Sequence, residues 1–256
     1  MKSLFAGWLL ALTCLSAQAE EKMVQLDIGR ADARLPMYVM TQPQATATLI
    51  LLPGGDAGSG KISDGRPTSN NFLSRSRELF FAAQFNVIVV YRASDLQHLD
   101  YGYRVSPAHV QELAAVIRHA RQLSNAPVWL VGTSRGTVSG TAAVIALPEG
   151  DVQGLVLTSS VTSKRIGAIA TQDIGKIKVP TLVVHHKNDA CKICVPYEAS
   201  RITDGLKSAP IKKFQMLEGG SDPTGDPCEG QHWHGFINHE KETVQLISNW
   251  IKSPQN

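Results

Sequence analysis

Gly132-Thr133-Ser134-Arg135-Gly136 is the stretch of this chain whose residue types are best suited to chemistry. A serine flanked two residues either side by glycine can occupy a turn too tight for large neighbours, with its hydroxyl presented outward. A hydroxyl is a poor nucleophile at neutral pH. It needs a base within hydrogen-bond reach, and that base needs a group to hold its tautomer. Both candidates lie downstream. Asp189 falls a few residues past the apolar run Thr181-Leu182-Val183-Val184-His185, where it can serve as the orienting acid rather than as an ordinary turn aspartate. Gln231-His232-Trp233-His234-Gly235-Phe236-Ile237-Asn238-His239 offers three histidines. His234 is the favoured base because a small residue beside its imidazole eases approach to the serine; His232 and His239 are the alternatives. Acyl transfer also requires donors for a developing oxyanion. The backbone N–H of Arg135 is one, and Gly55 in the Pro53-Gly54-Gly55 turn is the other, with Asp56 as second choice.

These residues need elements to hold them. An apolar strand, Pro127-Val128-Trp129-Leu130-Val131, precedes the serine, and small residues from 136 to 146 read as the helix after it. Residues 22–28 and 35–41 alternate like an opening hairpin. Ala47 to Leu52 is an apolar run feeding the glycine turn. Phe72, Leu73, Leu79, Phe80 and Ala83 have helical spacing across 70–83, and residues 87–91 form a β-branched strand. Ser106-Pro107 is a helix start, serine as cap and proline in the first turn, for a helix reaching about Leu123. Strands follow at 152–158, 181–185 and 211–217, with helices at 196–206 and 241–251. Strands that are apolar throughout and alternate with helices predict an α/β fold, a mostly parallel sheet covered on both faces. Sites in such sheets gather at the C-terminal ends of strands. Gly55, Ser134, Asp189 and the His234 segment all follow strand ends.

The 256 residues begin Met1-Lys2-Ser3, continue apolar to Leu15 and reach Ala17-Gln18-Ala19. That pattern predicts a cleaved export signal over residues 1–19, leaving 20–256 as a single domain, periplasmic or secreted. The apolar run is too short for a membrane span, so no stable membrane insertion is expected after cleavage. A formal charge of +3, with no Lys/Arg cluster, gives no footprint for nucleic acid. Cys191, Cys194 and Cys228 remain after cleavage. An oxidising compartment favours one disulfide and one leftover thiol, and the pairing stays open. Cys191-x-x-Cys194 and His232-x-His234 could also be read as zinc ligands, although Cys-x-x-Cys alone is poor evidence and no metal is expected.

Four ordered elements resemble the α/β-hydrolase superfamily: Pro53-Gly54-Gly55 where that family often has His-Gly, the Gly132–Gly136 elbow, His185-x-x-x-Asp189, and His234-Gly235-Phe236. The resemblance spans the mature chain. It implies a central, mostly parallel sheet flanked by helices, without a lid domain, since only about 20 residues separate the sixth strand from Thr181. It implies a serine carboxylesterase with Ser134, Asp189 and His234 as catalytic triad, Gly55 and Arg135 as oxyanion donors, a small-molecule ester as substrate and no cofactor. A peptidase or amidase on the same triad is the alternative, and a catalytically silent binding protein is a third reading. In this fold the Asp and His loops are neighbours, so Cys228 is expected to pair with Cys191 or Cys194 and tie them together. Tyr91, Tyr101 and Trp233 are expected to contact substrate, with the loop 94–104 as a polar wall. The Arg135 side chain is expected to pair with a surface carboxylate, the alternative being an acidic substrate group.

Overall fold

An eight-stranded sheet forms the spine of the chain in the computed structural model, which describes residues 18–56, 62–165 and 167–256. Its strands are β1 (Glu20–Asp27), β2 (Arg34–Thr41), β3 (Ala47–Leu52), β4 (Phe85–Val90), β5 (Val128–Thr133), β6 (Gly154–Thr158), β7 (Thr181–His186) and β8 (Lys212–Leu217). They lie in the order β1-β2-β4-β3-β5-β6-β7-β8. β2 runs antiparallel to β1 and to β4, and every other neighbouring pair is parallel. All residues of β3, β4, β5, β6 and β7 are buried, as expected of strands covered on both faces.

Alternation along the strands feeds two cores. Ile50, Leu130, Leu157 and Val183 pack on one face with Leu113, Val116 and Ile117 of a long helix, α4 (Pro107–Leu123). Leu49, Val131, Val156 and Val184 pack on the other with Phe72 of α1 (Phe72–Arg75), Phe80 of α2 (Arg77–Ala82) and Val244 and Trp250 of α7 (Glu240–Lys252). Each such side chain contributes roughly 1.5–3 kcal/mol through burial. The helix after Ser134, α5 (Arg135–Ala146), is composed of small residues and sits close against the sheet. A Cβ on Gly136 would fall 1.9 Å from the Leu52 carbonyl oxygen, so no other residue fits there without moving β3.

Several elements depart from the sequence expectation. The helix expected over 70–83 is two short helices with Ser76 between them; Asn71 caps the first by accepting from Leu73 N–H. The expected loop 94–104 ends in a helical turn, α3 (Tyr101–Arg104), capped by Asp100. The helix expected over 196–206 opens as a 3-10 turn, Pro196–Glu198, before α6 (Ser200–Gly205). α4 begins as anticipated, with Ser106 Oγ accepting from His109 N–H. Between β6 and β7 lie two 3-10 turns, and no lid domain is found there among the described residues. Residues 1–17 of the expected export signal lie outside the described residues. No described helix is long and apolar enough to cross a membrane.

Candidate active site

Ser134 stands at the turn from β5 into α5 with φ 51° and ψ −126°. A non-glycine residue held there costs on the order of 1–3 kcal/mol. The surroundings enforce it: Ser134 N–H donates to the Thr158 carbonyl at 3.0 Å, and the Ser134 carbonyl accepts from Thr137 N–H at 3.0 Å and from the Thr137 hydroxyl. Asp189 follows β7 and is buried; its Oδ1 accepts from Cys191 N–H at 2.9 Å. Its Oδ2 lies 2.8 Å from His234 Nδ1. A carboxylate only accepts, so Nδ1 carries the proton and Nε2 is left with a free lone pair. Nε2 is buried and without a hydrogen-bond partner. The His234 carbonyl accepts from Ser159 Oγ at 2.7 Å, and Phe236 packs its ring 4.9 Å from Phe72. A Cys191–Cys228 disulfide joins the Asp189 loop to the segment before His234, one of the two pairings that the fold resemblance implied.

Ser134 and His234 line one cleft of about 310 Å³ at the C-terminal strand edge. Gly54, Gly55 and Asp56 form one side; residues 68–74 and 228–230 form the others. The Ser134 and His234 side chains make no hydrogen bond with each other; Ser134 Oγ lies 4.0 Å from Cys194 Sγ. Burial and the nearby Asp189 charge push the Cys194 thiol well above its ordinary range, so it stays protonated. Cys191 Sγ, Cys194 Sγ and a ring nitrogen of His234 lie within 4.8 Å of one another. With Cys191 bonded to Cys228, that trio lacks a second thiolate and does not make a zinc set.

No protein-family model and no curated protein matches this chain. Solved structures do. Over 92% of this chain and 98% of the other, it superposes on dienelactone hydrolase from Anabaena variabilis with TM-score 0.66 at 18% identity. An esterase of Pyrococcus furiosus matches with TM-score 0.63 at 11% identity, covering 100% of this chain and 97% of that one. An esterase from Exiguobacterium antarcticum matches with TM-score 0.60 at 14% identity, covering 91% and 100%. The chain has the α/β-hydrolase fold. Within that fold, Ser134 and Asp189 follow the C-terminal ends of β5 and β7, and His234 lies in the 3-10 turn Trp233–Gly235 between β8 and α7.

Other expected residues of this α/β-hydrolase-fold chain stand elsewhere. Tyr91, Tyr101 and Trp233 do not line the cleft. Tyr91 is buried in the core beneath it, and burial raises its phenol above the ordinary range. The Tyr101 ring lies under the Arg135 guanidinium, 5.3 Å from ring centroid to Cζ, and Trp233 stacks on His186 at 4.9 Å. Arg135 thus rests on an aromatic face, and no carboxylate pairs with it among the described residues, contrary to the expected surface ion pair. His239 heads α7 without capping it, and His232 sits edge-on to Trp233. His185 is wholly buried and accepts from Ser160 N–H at 2.7 Å; burial lowers its pKa to about 3. Sequence reasoning missed the wall from Thr68 to Phe72, whose polar residues carry no periodic signal, the buried Arg104, and the place of Cys194 beside Ser134.

Proposed function

We propose that this chain is a serine esterase acting on short, polar carboxylic esters. Ser134 Oγ attacks the ester carbonyl while His234 Nε2 takes its proton. Asp189 holds the imidazole in the Nδ1–H tautomer and stabilises the imidazolium that forms. The N–H groups of Gly55 and Arg135 receive the oxyanion. Losing one such donor ordinarily costs about 10²–10³ in rate. His234 then returns the proton to the leaving alcohol, and water attacks the acyl-enzyme by the same route. The observation that carries this reading is the buried Asp189–His234 pair at 2.8 Å, which leaves an unpartnered Nε2 in the cleft that Ser134 also lines. The serine–imidazole contact is commonly long in sites without substrate and tightens on binding.

The cleft supports the substrate class. It is small, and Thr68, Ser69, Asn70, Asn71 and Glu229 give it polar walls rather than an apolar acyl channel. The disulfide and the N-terminal signal pattern both fit an exported enzyme. The test is an ester series, p-nitrophenyl acetate through octanoate, beside peptide p-nitroanilides. The expected result is turnover of acetate and butyrate, at least tenfold less kcat/KM for octanoate, and no measurable amide cleavage. Preferential cleavage of the anilides would make the chain a peptidase. No turnover of any substrate by folded protein would leave a binding protein.

A further inference from the structure

Arg104, at the end of α3, is fully buried, a position that arginine almost never occupies without a carboxylate partner. None pairs with it among the described residues. Its three hydrogen bonds go to neutral acceptors: Nε to the Leu99 carbonyl at 3.3 Å, one Nη to Ser139 Oγ at 2.8 Å, and the other Nη to the Gly55 carbonyl at 3.1 Å. Burial, then the nearby Arg135, lowers its pKa to about 9, which leaves it cationic at neutral pH. Burying a cation without an ion pair is costly, and three hydrogen bonds to neutral acceptors offset that cost, so Arg104 and the groups it bonds hold one another in place.

What it holds is the turn at Gly55. Gly55 has φ +60°, and a Cβ there would meet nothing within 4 Å, so no side chain holds this residue; the next residue, Asp56, is anchored by Arg92 at 2.7 Å and by Leu99 N–H at 2.6 Å, which leaves the Gly55 carbonyl bonded to Arg104. A glycine turn with such freedom can rotate its carbonyl toward the cleft and place an acceptor oxygen where an anion must form. Arg104 does not line the cleft, so a carbonyl bonded to it faces the interior. Arg104 is itself braced. Ser139 Oγ receives its N–H and lies 2.9 Å from His109 Nε2, and His109 Nδ1 lies 2.8 Å from Glu112 Oε2. Burial lowers the His109 pKa and keeps it neutral. Nδ1–H therefore donates to Glu112 and Nε2 accepts from Ser139. Glu112 also accepts from Tyr103 at 2.6 Å and from Arg30.

We infer that Arg104 is a positioning residue: it latches the Gly55 carbonyl away from the cleft and so keeps the oxyanion turn open, with Ser139, His109 and Glu112 as its brace. This rests on the esterase reading above. The test compares wild type with Arg104→Met, Arg104→Lys and Ser139→Ala, using p-nitrophenyl acetate turnover and inhibition by a trifluoromethyl ketone, which forms an oxyanion adduct. Arg104→Met should lose about 10- to 100-fold in kcat with KM changed less than threefold, and ketone affinity should fall in parallel with kcat/KM. Arg104→Lys should recover part of that loss. Ser139→Ala, which leaves Arg104 in place but unbraced, should lose a few-fold in kcat, and it carries the test if Arg104→Met does not fold. Unchanged kcat in a folded Arg104→Met, or in Ser139→Ala where that variant decides, overturns this inference alone. So does a loss confined to KM. Wild-type protein that neither turns over esters nor binds the ketone overturns the esterase reading and this inference with it.

Discussion

Ser134 holds a backbone conformation that serine adopts only under constraint, and the constraint can be measured. Ser134→Gly should abolish ester hydrolysis yet raise stability by about 1 kcal/mol, read as a higher urea midpoint, because glycine takes a positive φ without strain. An inactive variant that is instead less stable would mean that the turn is not strained. Asp189 is tested by its tautomer role. Asp189→Asn preserves shape but reverses the hydrogen bond to Nδ1, so kcat should fall by on the order of 10⁴ with KM little changed. Retention of near-normal kcat would remove Asp189 from the mechanism. Type and order put both residues forward as candidates, and the structure places Ser134 at the end of β5 and Asp189 past the end of β7, bonded to His234. Arg104 was not legible, because nothing in the chain marks a lone arginine after two tyrosines as buried; its role arises from contacts with Gly55 and Ser139, each about 35 or more residues away.

At the level of elements, Gly136, two residues past Ser134, lets α5 approach β3, and the disulfide ties the Asp189 loop to the segment before His234. Gly136→Ala places a methyl inside van der Waals contact of the β3 backbone and should destabilise by several kcal/mol or prevent folding, measured by expression and urea unfolding. The Cys191–Cys228 bond closes a separation of 37 residues, so Cys228→Ser should cost roughly 3–4 kcal/mol in a chain-entropy account. Loss below 1 kcal/mol would show that the Asp and His loops are held by packing instead. Strands were easier to read than helices. β3 came out with its bounds intact and β4 to β8 within two residues, because continuous apolar runs bounded by turns have few competing interpretations. The helix expected over 70–83 broke at Ser76, whose φ −92° and ψ 3° depart from the helical range, a local backbone change that side-chain periodicity does not encode. The aromatic substrate contacts failed for a related reason: an aromatic serves packing as well as recognition, and Tyr91 packs in the core while Trp233 stacks on His186.

For the molecule as a whole, buried histidines set a pH dependence of stability. His185 takes a proton near pH 6.5 when unfolded but only near pH 3 when folded. As pH falls below about 6.5 the unfolded chain binds a proton that the folded chain refuses, so stability present above that pH is lost on the way down. The loss is about 1.4 kcal/mol per pH unit between roughly 6 and 3. Burial also lowers the pKa of His109, His119 and His186, which act in the same direction. Urea midpoints should therefore drop steadily from pH 7 to pH 5, and His185→Gln should flatten that slope by about one proton. A slope that is unchanged by the substitution would contradict the assignment. The activity itself is tested most directly by intact-mass measurement after exposure to an alkyl fluorophosphonate. The account predicts one adduct per chain, mapped to Ser134, absent from Ser134→Ala and formed far more slowly by His234→Ala. A folded protein that takes no adduct, or one whose adduct lies elsewhere while Ser134→Ala still cleaves esters, would contradict it.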